Sequence, residues 1–276
     1  MGLLKELLHD KIGRIGLIGV LIVLLTALFA PLIAPHDPVE MFPQLREAPG
    51  KSFIMGTDNF GRDVFSRIVY GARVSIMVGL ISVGIGASLG IILGLAAGYF
   101  SGWLDNIIMR LMDILFAFPS ILLALSIVSV LGPDLKNTII AIGIVRIPIF
   151  TRTVRAEVLS VKSQEYITSA RSIGIKDSMI IIRHIMPNIM SPFLVQATLS
   201  LSSAILVEAS LSFLGLGIQP PNPSWGSMLN ESRKIMELAP WTALYPAIAI
   251  ILTILSFNLL GDSLRDILDP KLRNIE

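Results

Sequence analysis

Six long apolar runs constrain this chain more than anything else in it, lying near Ile12 to Ala34, Arg73 to Phe100, Asp105 to Leu131, Asn137 to Val154, Pro192 to Ile218 and Pro240 to Leu260. A bilayer core of roughly 30 Å is crossed by about 20 apolar residues in a helix. Backbone N–H and C=O groups find no water in lipid, so a spanning segment must satisfy them internally, as a helix does. The runs therefore predict an all-α membrane protein with six transmembrane helices. Composition agrees, with 53% of the 276 residues hydrophobic and 15% charged. The first run follows Lys5, Lys11 and Arg14, as in a signal peptide, but its length exceeds an h-region and predicts an uncleaved span.

Six spans put both termini on one side. The segments that would then face the cytosol hold Lys5, Lys11, Arg14, Arg152, Arg155, Lys162, Arg171, Lys176, Arg183, Arg265, Lys271 and Arg273, which the positive-inside rule favours. The loop from Pro35 to Ala72 runs against this trend, with Arg46, Lys51, Arg62 and Arg67 on the external side, but longer loops translocate with less regard for charge. Basic and acidic residues number 22 and 20, too balanced for the basic stripe of a nucleic-acid binder. The chain has no cysteine, so disulfides, thiolate metal sites and a Cys nucleophile are excluded.

Gly86, Gly90, Gly94 and Gly98 recur every fourth residue in the second run. Four residues turn a helix through about 400°, so these positions form a slowly wrapping groove where another backbone can approach. Either the groove lines a path between subunits or it packs tightly within the bundle. Arg110 and Asp113, three apart, share a helix face and are expected to neutralise each other. Arg146 and Glu208 have no partner by helical spacing; the buried carboxylate either faces a wet cavity or pairs with a neighbouring helix. Pro119 and Pro148 should kink or break their spans.

Familiar catalytic signatures fail. Gly50-Lys51-Ser52 spells the end of a phosphate loop, but the first glycine should fall at Leu45 and Pro49 interrupts the loop. Any ATP chemistry must then belong to another polypeptide. His9, His36 and His184 are scattered, without the spacing of a metal site, and no nucleophile and base stand at a convincing separation.

Between the fourth and fifth runs lies a polar insert, Lys162 to Asn188. Ser163 can cap a helix whose first turn holds Gln164 and Glu165, favourable at the positive helix end. Ser169 and Ala170 keep one face low, Arg171 sits in the last turn, and Gly174 can end the helix in a left-handed conformation. A second helix can start at Asp177 or Ser178 and stop before Pro187. Such a helix, turn and helix can receive force from a soluble partner; an interfacial helix on lipid or a solvated loop is the alternative.

The insert resembles the EAA segment of permease subunits in ATP-binding cassette importers, through Ala170, Gly174 and Pro187. Thr168 and Ser169 stand where Glu and Ala are usual in that segment, and Glu165 is the nearby acid. Five further blocks, Gly56 to Ser75, Gly98 to Pro119, Arg183 to Asn188, Glu208 to Gly226 and Phe257 to Pro270, are similar to the dipeptide, oligopeptide and nickel permeases, specifically the second, C-type subunit of the pair. Arg146 departs from that pattern, an aromatic residue being common there.

The resemblance implies the type I importer permease fold and a division into residues 1–34 (N-terminal tail and first span), 35–72 (external loop), 73–262 (permease domain, with a coupling segment at 162–188) and 263–276 (cytosolic tail). It implies a bacterial or archaeal cytoplasmic membrane, both termini cytosolic, and a second permease, two ATPase subunits, an external substrate-binding protein and membrane lipid as partners. ATP and Mg would sit on the ATPases; this chain would bind no cofactor or metal and perform no catalysis. The implied cargo is a dipeptide or oligopeptide, with nickel or a metal chelate as the alternative; a secondary transporter is the competing class. The resemblance assigns Glu165, Tyr166, Thr168, Ser169, Ala170, Arg171 and Gly174 to ATPase coupling, Glu208 to the translocation cavity, and Asp58, Arg62 and Asp63 to an external contact.

Overall fold

The computed structural model describes residues 2–268, so Lys271 and Arg273 and the end of the expected tail lie outside the described residues. Its elements in chain order are α1 (Gly2–His9), α2 (Lys11–Leu28), α3 (Ala30–Ile33), α4 (Val64–Phe100), α5 (Gly102–Phe116), α6 (Ser120–Leu131), α7 (Leu135–Lys162), α8 (Glu165–Ser172), α9 (Asp177–Ile180), a π-helical turn (Ile181–Ile185), α10 (Met186–Phe213), α11 (Trp225–Ser232) and α12 (Trp241–Leu268). All six apolar runs are helical. Four helices, α2, α4, the continuous stretch Asp177–Phe213 and α12, are long and apolar enough to cross a membrane, or five spans if α5 and α6 count as one. The 28-residue α7, with Arg146, Arg152 and Arg155 inside it, falls outside that set, so the six-span expectation holds as six helical runs rather than six apolar crossings.

Boundaries moved where side chains cap the backbone. The Asp63 carboxylate accepts from the Ser66 N–H at 3.0 Å and its hydroxyl at 2.6 Å, starting α4 well before Arg73. At 37 residues α4 is about 55 Å long, more than the roughly 30 Å core, so its ends project beyond the membrane. Asp10 caps α2 through Gly13 N–H at 2.8 Å and accepts from Ser263 Oγ at 2.6 Å; Ser263 first, then the backbone donors, hold its carboxyl below the usual carboxylate range. The first run, expected as one helix to Ala34, breaks at Phe29 between α2 and α3. Pro119 separates α5 from α6 with an 88° bend, as its missing N–H and restricted predecessor favour. Pro148, by contrast, lies within unbroken α7.

The glycine ladder decides how α4 and α7 meet. A Cβ on Gly86, Gly90, Gly94 or Gly98 would fall 2.5, 2.3, 2.7 or 2.8 Å from the Cβ atoms of Arg146, Phe150, Val154 and Val158 respectively. Each glycine thus receives one residue of a matching four-residue ladder, and the helices are held in register backbone to backbone. The ladder is tight internal packing, not the lining of a path between subunits. Gly16 and Gly19 do the same for α2 against Leu260 and Ser256 of α12. Around these pairs, α10 contributes Ala204, Val207 and Leu211 to one apolar cluster with α4, α6 and α7, and Ile205 and Ala209 to another with α2, α4, α11 and α12.

Candidate functional site

The polar insert folds as a hairpin at one end of the α4–α7 pair. Ser163 does not cap its helix: it ends α7, its hydroxyl donating to Ser160 O at 2.9 Å, and Gln164 holds the N-cap of α8 without a side-chain bond. The C-terminus is as expected. Gly174 has φ of 82°, a conformation glycine reaches without strain. Its N–H donates to Arg171 O at 2.9 Å and that of Ile175 to Ala170 O at 3.1 Å, the paired bonds of a Schellman stop. The chain then turns into α9 at Asp177, but the second helix does not stop before Pro187. It passes through the π-helical turn into α10, with Pro187 in that helix's first turn, where a missing N–H costs least.

Facing decides which residues are available to a partner. Ile167 and Ala170, three apart, are buried on α8 and Ile180 on α9; Ile167 and Ile180 join Tyr99, Val154, Val158, Ile185 and Ile189 in one cluster. Ala170 is 6% exposed, and its small side chain lets α8 seat on its own chain. Glu165, Tyr166, Thr168, Ser169, Arg171 and Gly174 are exposed. So are three apolar side chains that no motif singled out, Ile173 at 78%, Ile182 at 69% and Met179 at 47%. Bulky apolar residues around a glycine turn in a polar segment were the signal for them. Asn188 Nδ2 donates to the Tyr166 hydroxyl at 3.4 Å, so the Arg183 to Asn188 block backs the hairpin. The hydroxyl of Tyr99 is the first influence on Arg171, raising its guanidinium above the ordinary value.

The remaining expected site residues are not at open surfaces. Glu208 is fully buried, accepting from Ser212 Oγ at 2.8 Å and Ser75 Oγ at 3.4 Å; with Ser224 at the start of α11, its partners are hydroxyls of its own helix, α4 and α11. Asp58, Arg62 and Asp63 are likewise buried, in a network that holds the loop's own fold. Arg62 Nε donates to Asp58 Oδ2 at 2.6 Å and Nη2 to Glu231 Oε2 at 2.5 Å, while Arg67 Nη2 donates to the same Glu231 oxygen at 3.2 Å. This network clamps the external loop onto α11. Sequence spacing could not reveal Glu231, which lies more than 160 positions from its arginines. Asp113 pairs with Arg152 at 2.6 Å, not with Arg110, and Arg155 grips both oxygens of Asp105 at 2.6 Å, pinning α5 to α7. Arg146 is buried, and its Nε has no hydrogen-bond partner. No group of three or more His, Cys, Asp or Glu side chains is poised for a metal among the described residues.

The hairpin is exposed on its outer face and rooted in two tightly registered helices, α4 and α7. Residues 90–274 match the model for the binding-protein-dependent transport system inner membrane component, and residues 3–49 that for the N-terminal transmembrane domain of oligopeptide transport permease C. The chain is 49% identical over 271 residues to the dipeptide transport system permease protein DppC of Alkalihalophilus pseudofirmus, covering 98% of this chain and 89% of that protein. It is 48% identical to the glutathione transport system permease protein GsiD of Pectobacterium atrosepticum, covering 98% and 90%. Among solved structures, an inward-facing form of the MetNI methionine ABC transporter superposes with a TM-score of 0.61 at 16% identity, over 74% of this chain and 97% of that one, a likeness of fold. The chain therefore belongs to the binding-protein-dependent inner membrane components, the permease subunits of ATP-binding cassette importers.

Proposed function

We propose that this chain forms, with a second permease, the translocation path for dipeptides or oligopeptides, driven by two ATPase subunits and supplied by an external binding protein. The observation that carries the coupling part is the hairpin, which combines an exposed outer face with a buried root on α4 and α7. The relatives' names, for dipeptides, di/tripeptides and glutathione, support peptide cargo. Both termini and the hairpin face the cytosol, in keeping with the basic residues of the insert.

In this scheme the hairpin seats in the ATPase through Tyr166 of α8, Ile173 at the turn and Met179 of α9, with Glu165 and Arg171 at the polar edge. The family's usual acid is replaced by Thr168, so apolar burial contributes most of the contact, at about 25 cal/mol per Å². ATP binding closes the ATPases, displaces α8, and rocks the permease between inward and outward access. Bond making and breaking takes place on the ATPases, which hold ATP and Mg. Glu208 serves as a polar joint between α4 and α10, and Arg62 with Asp58 and Asp63 shapes the external face that the binding protein meets.

The test is assembly and uptake. Co-expressed with its second permease and ATPases, the chain should retain the ATPases through purification and import a labelled dipeptide in proteoliposomes. Ile173→Asp should release the ATPases and stop uptake while the permease pair stays assembled. Retention of the ATPases by that variant, or uptake of nickel in place of the dipeptide, would overturn the corresponding half of the proposal.

A further inference from the structure

We infer that Tyr99 is the positioning residue through which displacement of the coupling hairpin reaches the membrane helices. This inference rests on the hairpin being the ATPase contact. Tyr99 stands in the last turn of α4, one residue after Gly98, whose missing side chain admits Val158 of α7. Its ring is buried, 3% exposed, within the cluster formed by Val154, Val158, Ile167, Ile180, Ile185 and Ile189. Apolar packing alone would let the hairpin slide over α4. Polar groups from three separate elements hold it.

The Tyr99 hydroxyl donates to Asp177 Oδ1 at the start of α9. The Arg171 guanidinium, in the last turn of α8, lies 5.2 Å from the centre of the ring. From the end of α7, Lys162 Nζ donates to the Tyr99 carbonyl at 2.5 Å, a backbone acceptor that a helix C-terminus leaves open, and to the Ser101 hydroxyl at 3.0 Å. The Tyr99 hydroxyl thus meets both short helices of the hairpin, Asp177 of α9 and Arg171 of α8. A push on either arm of the hairpin therefore arrives at one side chain. The same turn of α4 is locked to α7 by the glycine ladder, so α4 and α7 move as a pair.

The function of such a strut differs from stability. The ring supplies packing, whereas the hydroxyl supplies a directional link, and the two separate by substitution. Tyr99→Phe keeps the ring in its cluster and removes the bond to Asp177. Asp177→Asn keeps an oxygen acceptor at the same place, and Asp177→Leu removes it. The assembled importer in proteoliposomes, with its binding protein and a labelled dipeptide, reads out ATP hydrolysed per dipeptide imported, alongside ATPase retention and thermal stability. Tyr99→Phe and Asp177→Leu should each raise that ratio about three- to tenfold, the scale of losing one partly solvated hydrogen bond, with ATPases retained and melting temperature close to wild type. The double variant should be no worse than Tyr99→Phe alone, because removing the hydroxyl already removes the bond to Asp177, and Asp177→Asn should stay near wild type. An unchanged ratio in Tyr99→Phe overturns the strut, as does a ratio that rises only in step with lost thermal stability. Ile173→Asp separates the two levels: if it leaves ATPase binding intact, the docking assignment fails; if it abolishes binding while Tyr99→Phe couples normally, only the strut fails.

Discussion

Placing one methyl group on Gly90 should cost this protein more than most polar substitutions on its surface. A Cβ there would stand 2.3 Å from the Phe150 Cβ, 3.0 Å from Thr151 N and 3.2 Å from Ile147 O. Ordinary carbon–carbon contact needs about 3.5–4.0 Å, so α4 and α7 must part by more than about 1 Å at this level. Two of the three neighbours are backbone atoms, which cannot turn aside. Overpacking of this kind costs about 1–3 kcal/mol, and separation also loosens the neighbouring contacts at Gly86 and Gly94. Gly84, on the same helix, meets nothing within 4 Å. There alanine removes only glycine's conformational penalty, a gain of up to about 1 kcal/mol. Gly90→Ala should therefore lower stability and Gly84→Ala should leave it equal or higher, a spread of about 1–4 kcal/mol between two chemically identical changes. Denaturant-induced loss of helicity, followed by circular dichroism on the purified protein in mild detergent, measures both. A Gly90→Ala protein as stable as Gly84→Ala would refute the view that the ladder sets helix register.

Ala170→Trp puts an indole into a position 6% exposed, so it should unseat the α8 hairpin and expose the insert to limited proteolysis rather than merely uncouple an intact permease; wild-type protease resistance would contradict the inward facing. Arg67→Met leaves Glu231 and Asp58 with one arginine in place of two, and should cost about 2–4 kcal/mol, reduced from the fully buried case because Glu231 is partly solvated; thermal unfolding in detergent would show it, and a neutral effect would count against the clamp. Arg146→Met replaces a buried cation whose Nε has no partner by an apolar side chain of similar length, and should be neutral or stabilising by about 1–4 kcal/mol in the isolated chain; a marked loss of stability would mean that the guanidinium has a compensating partner.

Much of the site was legible because its signals are local. A left-handed glycine and a following acid that starts a helix act over a few residues, so Gly174 and Asp177 could be placed in advance, whereas the helix running on through Pro187 could not. Even the glycine ladder announced a close helix contact. Its partner did not show, because Arg146, Phe150, Val154 and Val158 have no common chemistry and become a ladder only when laid against the glycines. Asp113 illustrates the limit from the other side: Arg110 is near in sequence, yet Arg152 is near in space.

Hydropathy and turn chemistry, then, determined from sequence alone that this is a helical membrane protein with a polar helix-turn-helix insert, because transfer to lipid and backbone capping depend on residue type and immediate neighbours. Facing was decided only by the tertiary structure. Each helical step rotates a side chain by about 100°, and which direction is inward depends on helices contributed by distant segments. That is why Ala170 turned inward, Ile173 outward, and Asp58, Arg62 and Glu231 into a single buried clamp.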